Sequence, residues 1–182
     1  KENNNKTTDT LIRLYEKVIN HLDYHDKKRE IIQRYDDIVK ELQMDESILR
    51  TIDVTLEHYI NQLKNEPKRL LDALLSCGED FNAQLIALYN NSQGIPTKYI
   101  SPKEAGIFVT DVPQEAQILD SAYSEIKKLR DYDEKLIIPG FFGVSHEGYI
   151  VTFPRGGSDI TGAIISSGVR ATIYENFTDV SG

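Results

Sequence analysis

No stretch of this 182-residue chain stays apolar long enough to cross a bilayer as a helix, which takes about 20 such residues. Cysteine is almost missing. Cys77 stands alone and can close no intramolecular disulfide, which fits a reducing, cytoplasmic setting. A cationic excess is missing too, because 21 Lys and Arg face 29 Asp and Glu for a net charge of −8. Nucleic acids and anionic membranes need a cationic surface, so neither is expected as a general partner. A single phosphate group can still be held by a few local donors. The opening Lys1-Glu2-Asn3-Asn4-Asn5 has no signal-peptide character, and the Asn-x-Ser/Thr triplets at Asn5, Asn90 and Asn176 read as chance. The chain starts on Lys1 and stops at Gly182 just after a turn-like segment, and both ends read as cut.

What remains is a soluble composition, 40% apolar and 27% charged, long enough for one domain with a real core. Residues 1–182 are read as that single, truncated domain, since no repeat, low-complexity tract or linker divides them. Its character changes near residue 95. Over 7–92 the apolar residues fall at helical spacing: Leu11, Leu14, Tyr15, Val18 and Leu22, then Ile31, Tyr35, Ile38, Val39 and Leu42. A third run from Ile48 to Leu63 follows Asp45, a suitable N-cap, and Leu70, Leu71, Leu74 and Leu75 follow Pro67, suited to a first turn. A separate helix is predicted over 81–91.

From 96 to 182 the period shifts to short apolar runs at 99–100, 107–109, 136–138 and 149–153, with a last strand predicted over 171–177. Helices are predicted over 114–130 and 160–169. Strands alternating with helices predict an α/β fold: a three-layer α-β-α sandwich on a mostly parallel sheet, with the helical first half as an elaboration and a local antiparallel hairpin at 138–153.

The sharpest chemical signal is Arg155-Gly156-Gly157-Ser158-Asp159, between a predicted strand and a predicted helix. Two glycines let backbone amides approach an anion, the helix start adds its unpaired N–H groups, and Arg155 adds a bidentate fork. A tight turn capped by Ser158 or Asp159 fits the same pattern. Ser76-Cys77-Gly78-Glu79-Asp80 places an acid where a helix is expected to begin, suited to a substrate ammonium or to the helix dipole. Thr178-Asp179 closes the last predicted strand, at the end where nucleotides bind in open α/β sheets, or simply makes an Asp turn. His21 and His25, four apart on a predicted helix, lack a third ligand and read as a solvated face, so no metal site is expected. Cys77 reads as a small buried side chain.

In their order, these segments resemble the aspartokinases of the amino acid kinase superfamily, closest to a Bacillus-type monofunctional branch. Ser76-Cys77-Gly78-Glu79 is similar to that family's Ser-x-Gly-Glu, and Ile138-Pro139-Gly140-Phe141-Phe142-Gly143 to its Gly-Phe-hydrophobic-Gly strand end. Arg155 to Asp159 matches Arg-Gly-Gly-Ser-Asp, and Thr178-Asp179-Val180-Ser181-Gly182 matches Thr-Asp-Val-x-Gly. The resemblance implies transfer of the γ-phosphate of ATP, carried with Mg²⁺, to the β-carboxylate of L-aspartate, the first step toward lysine, threonine and methionine. It implies that Glu79 binds the α-ammonium of aspartate, that Arg155 holds its α-carboxylate, and that Ser158 lies close to the substrate. Gly156 and Gly157 are the expected anion loop. Asp159 is the implied catalytic residue, orienting a lysine and the reacting groups, and Thr178 and Asp179 contact ATP near the ribose and adenine. The full-length protein is expected to be a homo-oligomer.

Two features depart from the family pattern. Pro154 stands where Ser, Thr or Gly is usual, and the family's opening Lys-Phe-Gly-Gly-Thr/Ser segment is not in the chain. The chain alone is therefore expected to fold in part but to carry about half of an active site and no activity. Rival readings are another kinase of the superfamily and a non-catalytic binding domain of the same fold. Glu79 with Arg155 favours a free amino acid over an acetylated one, which has no ammonium to pair.

Overall fold

The computed structural model describes residues 6–154 and 156–177. Four helices come first: α1 (Thr7–Ile19), α2 (His25–Glu41), α3 (Ser47–Leu63) and α4 (Pro67–Ser92). Then follow β1 (Thr97–Tyr99), α5 (Ala122–Ile126) running into a 3₁₀ turn (Lys127–Asp131), β2 (Lys135–Ile137), β3 (Phe142–Val144), β4 (Ile150–Thr152) and α6 (Gly157–Gly168). Strands β1 and β2 pair in parallel, Thr97 opposite Lys135, and β3 and β4 form an antiparallel hairpin, Phe142 opposite Thr152. A parallel bridge from Phe108 to Val144 adds the 107–109 run to that hairpin. The α/β reading holds, as does the hairpin.

The helices form where their apolar spacing places them. Leu11, Leu14 and Val18 of α1, Ile31, Tyr35 and Val39 of α2, and Ile48, Ile52, Leu56 and Ile60 of α3 are buried in one core. Leu22 and Leu42, counted in those stripes from sequence, lie beyond the helix ends and are exposed. Asp45 acts at the start of α3 by accepting the Ser47 N–H at 2.8 Å, and Pro67 sits in the first turn of α4. Helices α1 and α2 both close with an N–H reaching five residues back, Leu22 to Lys17 and Met44 to Val39, each at 2.9 Å. That closure requires a left-handed residue, supplied here by His21 and Gln43 instead of glycine. His21 and His25 are thus separated by a turn and do not share a helix.

Three predicted elements differ from the structure. No break precedes residue 81, because α4 runs without interruption from Pro67 to Ser92. Gly78 in its middle costs about 1 kcal/mol of helix propensity. The stripe Leu70, Leu74, Cys77, Phe81 and Leu85 is buried across that point, and this burial outweighs the glycine. The 114–130 helix shrinks to α5 and its 3₁₀ turn, since 110–119 folds into its own bridge. Gln114 has a positive φ, the Leu119 N–H bonds the Phe108 carbonyl, and Val109 pairs with Ile118. Finally, 171–177 is assigned to no strand, having no ladder partner among the described residues.

A second core holds Ile100, Ile107, Val109, Ile126, Val151, Phe153 and Ile164. The first turns of α4 join the two. Asp72 is 0% exposed and accepts the Thr152 hydroxyl at 2.8 Å and the Gln114 N–H at 3.0 Å. One turn earlier, Arg69 makes a two-pronged pair with Asp111 at 2.7 and 2.8 Å and lies 3.7 Å from the Tyr149 ring centre. Asp72→Ala leaves a buried hydroxyl and a half-buried backbone amide without their acceptor, so it is expected to destabilise the fold by about 2–4 kcal/mol in urea unfolding. An unchanged midpoint would mean that the two cores are joined elsewhere.

Candidate functional site

The strand-to-helix loop is built by close packing of backbone against backbone. Gly156 caps α6 at φ +85°, a left-handed conformation that costs a side-chain-bearing residue about 1–2 kcal/mol. A Cβ there meets nothing within 4 Å among the described residues, so the turn faces open space. Gly157 is glycine for a different reason. A Cβ would come within 2.9 Å of both the Phe141 ring and the Phe153 Cβ. Thr161 locks the arrangement by donating to the Gly157 carbonyl at 2.8 Å and accepting the Phe141 N–H at 3.0 Å. Phe141 itself takes φ +77°, and the Phe153 N–H bonds its carbonyl at 2.8 Å. Gly140 lies against Ser158, whose Cα would be 3.3 Å from a Cβ placed there.

Two motifs singled out from sequence, 140–143 and 156–159, therefore meet. Ser158 and Asp159 fall in the first turn of α6, where N–H groups lack helical partners, and both are exposed. Asp159 accepts a 3.0 Å bond from the Asn176 amide. Arg155, Thr178 and Asp179 lie outside the described residues.

Glu79 is not at a helix start. It sits in the middle of α4, so the expected dipole contact is replaced by burial. Ser76 and Cys77 beside it turn inward, both bonding the Ala73 carbonyl, at 2.8 and 3.2 Å, and burial pushes the Cys77 thiol far up. Glu79 instead lines an open cavity of about 350 Å³, shared with Thr7 and Thr8 of α1, Arg34 of α2, and Asn82. Residues 156–159 do not line that cavity. Burial raises the Glu79 carboxyl above the usual carboxylate range, against the pull of its own backbone N–H. A carboxylate so destabilised gains from a cationic ligand. Its neighbour Asp80 is also raised by burial, and it accepts the Tyr99 hydroxyl and the Gln84 amide, the latter at 2.8 Å.

Thr7, Thr8, Tyr99 and Gln84 escape a reading of sequence alone. Thr-Thr-Asp at 7–9 looks like any helix opening, and only the fold brings it to Glu79. The described residues contain no group of three His, Cys, Asp or Glu placed to hold a metal ion, and no helix long and apolar enough to cross a membrane.

Residues 4–182 match the profile of the amino acid kinase family. The chain belongs to this family. Among curated proteins, this amino acid kinase chain is 42% identical over 175 residues to aspartokinase 3 of Bacillus subtilis, covering 96% of the chain and 38% of that protein. The aspartate kinase of Clostridium acetobutylicum shares its fold at a TM-score of 0.79 and 36% identity, with 100% of this chain and 39% of that one covered. Aspartokinase III of E. coli, solved with aspartate and ADP, matches at a TM-score of 0.64 and 20% identity over 92% of this chain and 39% of that one, a likeness of fold. The chain thus spans about two-fifths of the length of these relatives.

The raised Glu79 carboxyl has a stability consequence of definite sign. As pH climbs from below the ordinary carboxylate range, the unfolded chain releases this proton first, so the fold loses stability until the folded group also ionises. Glu79→Gln removes that loss. It is expected to raise the melting temperature at pH 7 and to leave it unchanged in acid, where Glu79 is protonated in both states. A melting temperature lowered by Glu79→Gln at pH 7 would show that the charged form is stabilised in the fold.

Proposed function

We propose that the full-length protein is an aspartate kinase, transferring the γ-phosphate of ATP, carried as its Mg²⁺ complex, to the β-carboxylate of L-aspartate. The observation that carries this reading is Glu79, an acid raised by burial on a rigid helix and facing a cavity large enough for an amino acid. Identity to the Bacillus subtilis and Clostridium acetobutylicum enzymes supports aspartate as the acceptor.

In this reading Glu79 binds the α-ammonium of aspartate, and Arg155 grips its α-carboxylate bidentately with Ser158 close by. The amides at Gly156 and Gly157, with the positive end of α6, hold phosphate oxygens. Thr178 and Asp179 contact ATP near the ribose and adenine. An oxygen of the β-carboxylate attacks the γ-phosphorus in line, the new P–O bond forming as the bond to ADP breaks, to give aspartyl phosphate and ADP. Asp159 carries its negative charge beside the transferring group and orients a lysine that offsets phosphoryl charge. The chemistry is positioning and electrostatics, without a covalent enzyme intermediate. The product commits aspartate to lysine, threonine and methionine, in a cytoplasmic homo-oligomer.

The test is a coupled assay of aspartate-dependent ADP release by the full-length protein. Arg155→Ala is expected to raise the KM for aspartate by about 30- to 1000-fold, the loss of roughly 2–4 kcal/mol of charge-assisted contact, while the KM for ATP stays near wild type. Glu79→Gln is expected to act in the same direction. A large rise in the ATP KM alone, or no aspartate-dependent turnover in the wild type, would overturn the assignment.

A further inference from the structure

The segment that follows α6 runs back along it. Residues 171–177 belong to no helix or strand, and two of them, spaced by two, touch the helix at sites one turn apart. Tyr174 lies over Gly162, whose added Cβ would meet the Tyr174 hydroxyl at 2.3 Å. Asn176 donates from Nδ2 to Asp159 Oδ1 at 3.0 Å. Sequence number rises along the segment as it falls along the helix, the antiparallel run that a strand takes after a helix in an α/β unit. Tyr174 is 48% exposed, less than Ile173 at 74% and Phe177 at 87%. The Asn176 contact thus lies one turn of α6 from the Tyr174 packing.

We infer that Asn176 is a positioning residue for Asp159, fixing the orientation of its carboxylate through one oxygen while leaving its charge intact. This rests on the kinase reading above and adds to it a residue outside the four motifs. A carboxylate in an exposed first turn has two freely turning torsions, and a single directed donor on Oδ1 removes much of that freedom. The choice of donor matters. A lysine or arginine in place of Asn176 would also orient Asp159, but it would cancel the negative charge on which the phosphoryl-transfer lysine relies. A neutral amide fixes geometry and cancels nothing.

The test uses the full-length enzyme and steady-state kinetics. Asn176→Ala is expected to lower kcat by about 10- to 100-fold, the size of effect that misplacing a reacting group brings, with both KM values held within about twofold. Asn176→Gln keeps an amide donor on a longer stem and is expected to recover part of the loss. Asn176→Asp sets a second carboxylate against Asp159 and is expected to fall below the alanine variant. Melting temperatures of all three should match wild type, since Asn176 is exposed. Wild-type kcat in Asn176→Ala, alongside an inactive Asp159→Asn, overturns the positioning role and leaves the kinase reading standing. A fully active Asp159→Asn overturns the role assigned to Asp159 and the inference with it. Matched losses in kcat and melting temperature, not recovered by glutamine, would make Asn176 structural and also overturn it.

Discussion

Helix α4 has to satisfy two cores at once, and the rest of the fold is arranged around that demand. Its large residues Leu70, Leu74, Phe81 and Leu85 fill the helical core with α1, α2 and α3. Its small ones, Ala73 and Ala87, line the clefts it shares with Tyr149 and Ile150 of the hairpin region and with Thr97 and Tyr99 of β1. A helix buried on opposite sides has little surface for charge. The charges it does carry at this depth are committed, Arg69 to Asp111 and Asp72 to Thr152 and Gln114. Where the buried stripe continues, glycine and two adjacent acids can be tolerated in mid-helix without a break, which is why Gly78, Glu79 and Asp80 are helical.

In the proposed reading, that placement suits Glu79 to an ammonium better than a helix terminus would. A carboxylate at the first turn is already stabilised by the dipole and by water. On α4 it is held on a rigid element and raised by burial, so an ammonium arriving in the cavity relieves a cost that the fold already carries. The loop at α6 is rigid for a complementary reason. Gly156 supplies the left-handed turn and Gly157 the close approach, while the Thr161 hydroxyl bridges two backbone groups so that the open turn cannot relax.

Much of this was legible from residue order. The four helices of the first half follow from apolar spacing because each buries a single stripe, where period and burial coincide. The hairpin at 142–152 and the α6 start were legible from glycine position and β-branched runs. Spacing failed where burial was two-sided or the backbone special. In α4, Gly78 looked like a boundary because the stripe crossing it is visible only once its partners are in place. At 114–119, the polar and small residues Gln114, Ala116 and Gln117 suit a helix, yet the bridge to 108–110 wins through the positive φ of Gln114 and the burial of Ala116. The residues that join Glu79 in its cavity, Thr7 and Thr8, are separated from it by some 70 positions in sequence. No local pattern could link them.

The acids of the chain meet both cationic and neutral partners. Away from the candidate site, Asp111 is drawn below the usual range by the Arg69 guanidinium, Glu57 by Lys28, and Glu30 by Lys27, while Asp45 accepts from Ser47 and Glu104 from Ser101. Close to it, Asp80 accepts from Tyr99 and Gln84, and Asp159 from Asn176. A cation both places a carboxylate and neutralises it, whereas a hydroxyl or amide only places it. Asp72 shows that neutral donors alone do not mark a site, for it is held the same way but is closed to any ligand. Asp159 combines a neutral partner with exposure in the first turn of α6. A carboxylate in that state keeps its field directed outward. In the proposed chemistry, which gathers an ammonium, a lysine and a magnesium-bound phosphate, that outward negative charge is what Asp159 would supply.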